Sequence, residues 1–340
     1  MSTLLVTGGM GFIGSNFILY WLQNHPKDRV INYDLLTYAG NPANVASVQH
    51  LSNYRFIKGD IADVALLERV MLEEQVDCIV HFAAESHVDR SIEDASVFVR
   101  TNVLGTQGVL EAARKCGVRR MVHVSTDEVY GTLGKEGYFT EQTPLSPNSP
   151  YSASKAGSDF MARAYYETYG LPVMITRCSN NYGPYQYPEK LIPKIITRAL
   201  LDQPIPVYGD GQNVRDWLHV EDHCSAIERV LESGKPGQVY NIGGNSERSN
   251  IEVVTEILKR LGKPETLIQF VADRPGHDRR YAIDASKIRE ELGWAPRYSF
   301  QEGIAQTVDW YALHTGWWKQ LAGDVPESHA GDDDGGEPEG

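Results

Sequence analysis

The 340-residue sequence predicts a doubly wound α/β fold built on a parallel sheet, and three observations carry that prediction. Continuous apolar runs of strand length recur at 3–7, 29–33, 54–58, 78–84, 120–126 and 173–178, the pattern of strands buried on both faces. Helical periodicity fills the intervals near 12–24, 63–74, 96–116 and 151–169. The first of these intervals opens on a glycine-rich turn. Strands separated by helices form right-handed βαβ units, and ligands of such sheets lie in the crevice beyond the carboxyl ends of the strands.

The first run, Thr3-Leu4-Leu5-Val6-Thr7, continues into Gly8-Gly9-Met10-Gly11-Phe12-Ile13-Gly14. Glycines there permit the tight turn, the approach of backbone N–H groups to a pyrophosphate, and close packing of helix on strand. The second run ends in Asp34, 20 residues beyond Gly14. At that spacing a carboxylate accepts from a ribose 2′-hydroxyl and repels a 2′-phosphate, so NAD+ is expected rather than NADP+. The third run ends in Gly59-Asp60-Ile61, with Asp60 in reach of the adenine edge. Ordinary turn chemistry explains Asp34 or Asp60 taken singly; the glycines in register make them a Rossmann-type dinucleotide site.

The fourth run ends in Ala84-Glu85-Ser86-His87-Val88-Asp89-Arg90, whose charged members form either surface ion pairs or substrate contacts. The fifth ends in Val124-Ser125-Thr126-Asp127-Glu128-Val129-Tyr130-Gly131. This sets two adjacent carboxylates at the catalytic edge of the sheet, or else makes Asp127 a helix cap. Tyr151 and Lys155 follow on a helix, where i and i+4 side chains share a face. An ammonium beside a phenol lowers the phenol pKa and makes Tyr a usable base.

Beyond residue 180 Pro and Gly punctuate shorter elements, with helical patterns near 188–201, 220–233, 250–262, 284–292 and 300–314. Residues 1–180 are expected to bind NAD+ and 181–321 mainly the substrate, with 237–244 returning to extend the sheet. Trp317 and Trp318, after the last predicted helix, are read as packing residues. Residues 322–340, rich in Asp, Glu, Gly and Pro, are expected to be disordered. Seven acids without a Lys or Arg lie in that tail; without them the net charge of −13 falls to −6. An acidic chain disfavours nucleic-acid binding while leaving room for an anion in a local cationic pocket.

No run approaches the ~20 apolar residues of a membrane span. The N-terminus enters a strand with no signal-peptide pattern before it. The four cysteines, Cys78, Cys116, Cys178 and Cys224, contain no Cys-x-x-Cys pair, so neither a metal site nor a disulfide framework is expected and a cytoplasmic location is.

The glycine turn, Ser125-Thr126-Asp127-Glu128-Val129-Tyr130-Gly131 and Tyr151-x-x-x-Lys155 together resemble the extended short-chain dehydrogenase/reductases, and within them the nucleotide-sugar 4,6-dehydratases. The likeness runs to about residue 320. It includes Asp34–Gly40, His81–Arg90, Arg177–Gln186 and the Asp273-Arg274-Pro275-Gly276-His277 segment. It implies NAD+-dependent conversion of a nucleoside-diphosphate hexose, dTDP-glucose first of all, to a 4-keto-6-deoxy sugar. C4 is oxidised, water is lost across C5 and C6, and hydride returns to C6. A UDP-sugar 4,6-dehydratase or a nucleotide-sugar 4-epimerase are the alternatives.

On this resemblance Tyr151, assisted by Lys155, takes the 4-hydroxyl proton, Glu128 removes the C5 proton, Asp127 donates to the departing 6-hydroxyl, and Thr126 hydrogen-bonds the sugar. Cofactor contacts fall on Gly8, Gly11, Phe12, Ile13, Gly14, Asp34, Leu35, Thr37, Asp60, Ile61, Ala83, Ala84 and Ser86, with Thr101, Asn102 and Asn181 as further candidates. Substrate contacts fall on His87 and Asn180, on Lys190, Leu191, Pro206, Tyr208 and Arg215, and on Asn250, Asp273, His277 and Tyr281. A homodimer through a four-helix interface, to which 96–116 and 151–169 contribute, is also implied.

Overall fold

A computed structural model describes residues 2–273 and 277–322. Its strands are, in chain order, β1 (Thr3–Thr7), β2 (Arg29–Asp34), β3 (Tyr54–Lys58), β4 (Cys78–His81), β5 (Arg120–Thr126), β6 (Val173–Cys178), β7 (Asn180–Tyr182), β8 (Ile205–Tyr208), β9 (Val214–His219), β10 (Val239–Ile242), β11 (Glu247–Ser249) and β12 (Ile268–Val271). Seven of them form a parallel sheet in the order β10-β6-β5-β4-β1-β2-β3. The order reverses between β1 and β4, which opens the crevice where such sheets take a ligand.

The helices are α1 (Phe12–Asn24), α2 (Val64–Glu73), α3 (Val88–Glu93), α4 (Ala95–Phe98), α5 (Thr106–Lys115), α6 (Pro150–Tyr169), α7 (Leu191–Leu200), α8 (Val220–Ser233), α9 (Asn250–Leu261), α10 (Ser286–Leu292), α11 (Phe300–Leu313) and α12 (Thr315–Ala322). One face of the sheet packs on α1 and α8 through Phe17, Trp21, Ile227 and Val230. The other packs on α2, α5 and α6 through Leu67, Val70, Leu110, Ala162 and Tyr165. A separate core gathers α7, α9, α11 and α12 against Tyr182 and Trp217.

Two local expectations are corrected. The helical pattern over 96–116 is not one α-helix: α4 and α5 are joined by a π-helical segment, Val99–Gly105. Trp317 and Trp318 do not follow the last helix but lie in α12, where Trp318 is fully buried and donates to the Tyr311 carbonyl at 2.9 Å. The acidic tail lies outside the described residues from 323 onward, and so do Arg274, Pro275 and Gly276 of the 273–277 segment.

Candidate active site

A cleft of about 670 Å³ runs along the carboxyl ends of β1, β2, β4, β5 and β6. Its floor begins with Gly8, Gly11, Phe12, Ile13 and Gly14. Gly8 has φ +71°, and a Cβ there would press on the Ala83 backbone at 2.6 Å; a Cβ on Gly14 would overlap the Gly8 carbonyl oxygen. Side chains are therefore excluded from both positions, and the turn is pulled tight under the N-terminus of α1.

At the end of β2 the Asp34 carboxylate accepts from Met10 N at 2.9 Å and Leu36 N at 2.7 Å. Burial pushes its pKa up and these two amides pull it down. Each oxygen keeps a lone pair for a further donor. Leu35, Thr37, Asp60 and Ile61 line the cleft beside it, and Asp60 is anchored by Ala62 N at 2.9 Å. Ala83, Ala84, Ser86, Thr101 and Asn181 line it as well. This glycine turn, with an anchored carboxylate twenty residues on, fits the donor and acceptor set of a dinucleotide. Asn102 is placed differently: it is buried, exchanges hydrogen bonds with the Glu85 backbone at 2.9 and 3.0 Å, and donates to Ser154 Oγ at 2.8 Å. It fastens the end of β4 to α6.

Thr126, Asp127, Glu128, Tyr151 and Lys155 share the far end of the same cleft. Asp127 and Glu128 stand on a 3-10 turn, Asp127–Tyr130, capped by Thr126 and not by Asp127: Glu128 N donates to Thr126 Oγ1 at 3.2 Å. The cap leaves the Asp127 carboxyl otherwise engaged only at one oxygen, with Oδ2 buried and unpartnered. Burial first, then the charges of Glu128 and Asp216, push the Asp127 pKa well above the usual carboxylate range.

Lys155 Nζ donates to the Val124 carbonyl at 2.8 Å, and burial draws its pKa down to about 8. The effect of Lys155 on Tyr151 differs from the expectation. Burial and the Glu128 charge push the Tyr151 phenol well above its usual value, while a hydrogen bond with Thr126 opposes them. The Lys155 ammonium is turned to the sheet backbone.

The substrate candidates divide. Asn180 and Lys190 line the cleft; Asn180 Oδ1 is buried without a partner, and Lys190 Nζ reaches across to the Ser86 carbonyl at 2.8 Å. His87 faces Glu189 at 3.6 Å, and burial followed by the Lys190 charge lowers its pKa. Leu191 is the first residue of α7 and packs on the third core.

Pro206 and Tyr208 on β8, Arg215 on β9, Asn250 opening α9, and Asp273, His277 and Tyr281 lie in the C-terminal half and are not among the residues that line the cleft. There His277 Nδ1 meets Asp273 Oδ1 at 2.6 Å and its ring lies edge-on to Tyr208. The Arg215 guanidinium stacks 4.4 Å over Tyr281 and donates to the Asp278 carbonyl at 2.9 Å. Asn250 Oδ1 is another buried acceptor without a partner. Charge links this group to the cleft: Arg215 acts on Asp127, and Glu128 on Tyr281.

Two contacts beside the cleft were not expected from the sequence. Tyr38 donates to Glu189 at 3.0 Å under the Arg90 guanidinium, 3.8 Å above its ring, so three distant segments meet over the cleft mouth. Asp216 is buried and held by Gly244 N and Ser246 N at 2.9 and 2.6 Å. Only the fold brings it towards Asp127.

Comparison with known proteins gives a consistent picture. The family model described as GDP-mannose 4,6 dehydratase matches residues 5–307. A dTDP-glucose 4,6-dehydratase of Xanthomonas campestris pv. campestris (strain B100) is 57% identical over 335 residues, covering 93% of this chain and 95% of the relative. The crystal structure of a dTDP-glucose 4,6-dehydratase from Streptomyces venezuelae, with NAD bound, superposes with a TM-score of 0.91 at 55% identity, covering 94% of this chain and 99% of that one. A UDP-glucose 4-epimerase from Thermotoga maritima, with UDP-glucose, gives a TM-score of 0.86 at 28% identity, covering 92% and 99%.

Proposed function

The chain belongs to the GDP-mannose 4,6-dehydratase family, and from that membership we propose that it is an NAD+-dependent hydro-lyase that converts dTDP-glucose to dTDP-4-keto-6-deoxyglucose. Relatives more than half identical over nearly their whole length carry that activity in their names, which favours thymidine over the guanosine sugar of the family's description. The observation that carries the dehydratase reading is the buried Asp127 beside Glu128: one carboxyl kept neutral as an acid, next to a second carboxylate. Loss of water across adjacent carbons needs one acid and one base, and carboxyls with separated pKa values provide both. An epimerase, which shares the fold, eliminates nothing.

Gly8–Gly14, Asp34 and Asp60 would hold NAD+, which supplies, when bound, a two-electron acceptor and a positive charge in the cleft. Tyr151 takes the proton of the sugar 4-hydroxyl; its hydrogen bond with Thr126 favours the phenolate against burial. The ketone at C4 acidifies the C5 hydrogen, which Glu128 removes. Asp127 gives its proton to the 6-hydroxyl, which leaves as water. Lys190 and Arg215 offset the diphosphate charge. On this reading residues 1–180 with β10 serve the cofactor, and 181–321 mainly the nucleotide sugar.

A second copy of the chain covers exposed Val99 and Leu104 of the π segment and Phe160 of α6, as the resemblance to dimeric relatives implies. No described helix is long and apolar enough to cross a membrane, and the four cysteines are free, in keeping with a reducing cytoplasm.

The test is a panel of dTDP-glucose, UDP-glucose and GDP-mannose incubated with the NAD+-loaded protein, with products identified by NMR. A 4-keto-6-deoxy product made fastest from dTDP-glucose is expected. Formation of dTDP-galactose alone would make the protein an epimerase.

A further inference from the structure

A chain of buried polar contacts links the two halves of the catalytic constellation from below. Tyr151, Lys155 and Asp159 occupy i, i+4 and i+8 of α6 and so share one face of that helix. Asp159 is buried; its Oδ2 accepts from Arg177 Nε at 2.9 Å. Arg177 lies in β6, paired in register with Ser125 of β5. Its Nη1 donates to the Tyr130 hydroxyl at 3.0 Å, and its guanidinium lies 4.9 Å from the centre of the Tyr130 ring. Tyr130 is the last residue of the 3-10 turn that carries Asp127 and Glu128, and its hydroxyl donates to Asn241 Oδ1 of β10 at 2.8 Å.

None of Asp159, Arg177, Tyr130 and Asn241 lines the cleft, yet each is buried, and an ion pair in that position is expensive to desolvate. Apolar residues of similar volume would fill the same space, so packing alone does not call for it. What the arrangement does provide is direction: the planar guanidinium donates through Nε to Asp159 on the helix that bears Tyr151 and Lys155, and through Nη1 to Tyr130 on the turn that bears Asp127 and Glu128.

We propose that Asp159, Arg177 and Tyr130 are positioning residues, a buried strut that sets the spacing between the pair that serves C4 oxidation and the pair that serves water elimination. The proposal rests on the dehydratase reading. A sugar held on Tyr151 presents its C5 and C6 at a fixed distance from the 4-hydroxyl. Elimination therefore requires the two carboxyls at that same distance, whereas oxidation alone requires only Tyr151 and the cofactor. Loosening the strut uncouples the second step from the first.

The test uses the full-length holoenzyme with dTDP-glucose in single-turnover experiments. NADH formation reads oxidation, and 4-keto-6-deoxy product reads elimination. Tyr130→Phe keeps the ring, its 5.0 Å stack on Phe139 and its place under the Arg177 guanidinium, and removes the hydroxyl that accepts from Arg177 and donates to Asn241. Arg177→Lys keeps the charge opposite Asp159 and removes the fork. In either variant elimination is expected to slow about tenfold while oxidation changes less than about twofold, so that NADH accumulates.

A purely structural role would lower the folded fraction and slow both steps together. Both rates are therefore measured on monodisperse folded protein, and the second variant serves if the first does not fold. Equal slowing of the two steps, or an unchanged ratio in both variants of an active enzyme, overturns the strut alone. Wild-type protein that makes no 4-keto-6-deoxy sugar from any nucleotide hexose overturns the dehydratase reading on which the strut rests.

Discussion

Burial, with the charges of Glu128 and Asp216, raises the pKa of the Asp127 carboxyl against the pull of Arg215, and so favours its neutral form. That neutrality has a stability consequence. The unfolded carboxyl ionises near pH ~4. Above that pH the unfolded state gains from ionisation and the folded state does not. The stability associated with this group is therefore full below ~4 and is lost as pH rises towards the elevated folded pKa. Asp127→Asn removes the effect, and at pH 7 the variant should melt about 2–4 °C higher than wild type, equivalent to ~1 kcal/mol, with the gain shrinking towards pH 4.

The same change should slow water loss by about 100-fold or more while C4 oxidation falls far less, since only elimination needs the proton. Melting curves at several pH values, read with single-turnover product analysis, check both halves. A gain over wild type that is no larger at pH 7 than at pH 4 would show that the carboxyl is ionised in the fold. The two adjacent carboxylates were legible in the sequence because they are neighbours at a strand end. Their separate roles came from the family resemblance; the physical cause that separates them did not show in the sequence, because Asp216 arrives from β9 and burial is a property of the packed chain. For the same reason Lys155 was legible as a partner of Tyr151 but its hydrogen bond to the Val124 backbone was not.

At the scale of elements, apolar periodicity located every strand of the main sheet and most helices, since strands buried on both faces and amphipathic helices print their period on the chain. It missed the π segment Val99–Gly105, whose seven residues keep a helical pattern while the backbone widens. It also missed β7 and β11, which at three residues are too short to show a period and are ordered by their pairing with β9.

The junction of the π segment with α5 has a measurable role. Gly105 and Gly108 lie against Ile61, which lines the cleft beside Asp60, and a Cβ on Gly108 would meet the Ile61 carbonyl oxygen at 2.6 Å. In an exposed helix Gly→Ala gains ~1 kcal/mol from propensity. Here a contact with rigid backbone costs ~1–3 kcal/mol, and the clash wins. Gly108→Ala should lower the melting temperature by a few degrees and weaken NAD+ binding severalfold by shifting Asp60 and Ile61, as seen by calorimetry and NAD+ titration. An alanine variant that is stabilised, with unchanged NAD+ affinity, would mean that α5 does not press on that loop.

The whole molecule binds a diphosphate and a dinucleotide while carrying a net charge of −13, of which the seven tail acids beyond Leu321 supply more than half. The two C-terminal segments differ in what they join. Trp318 fills the third core, and Trp317 Nε1 donates at 2.9 Å to Asn44 Oδ1, so α12 ties the C-terminal half back to the loop after β2. Residues 323–340 are rich in Asp, Glu, Gly and Pro and poor in apolar residues.

Two truncations separate the segments. Ending the chain after Ala322 removes only like charges remote in sequence from every candidate site residue. Melting temperature and turnover should then stay within about 2 °C and twofold of the full chain, with anion affinity slightly raised at low salt, where screening is weakest. Ending it before Thr315 also removes a buried Trp, at a cost of ~3–5 kcal/mol, and should lower the melting temperature by about 10 °C. If the short truncation alone abolished activity, the acidic segment would be part of the working enzyme, and the −6 remainder would not suffice to bind its substrates.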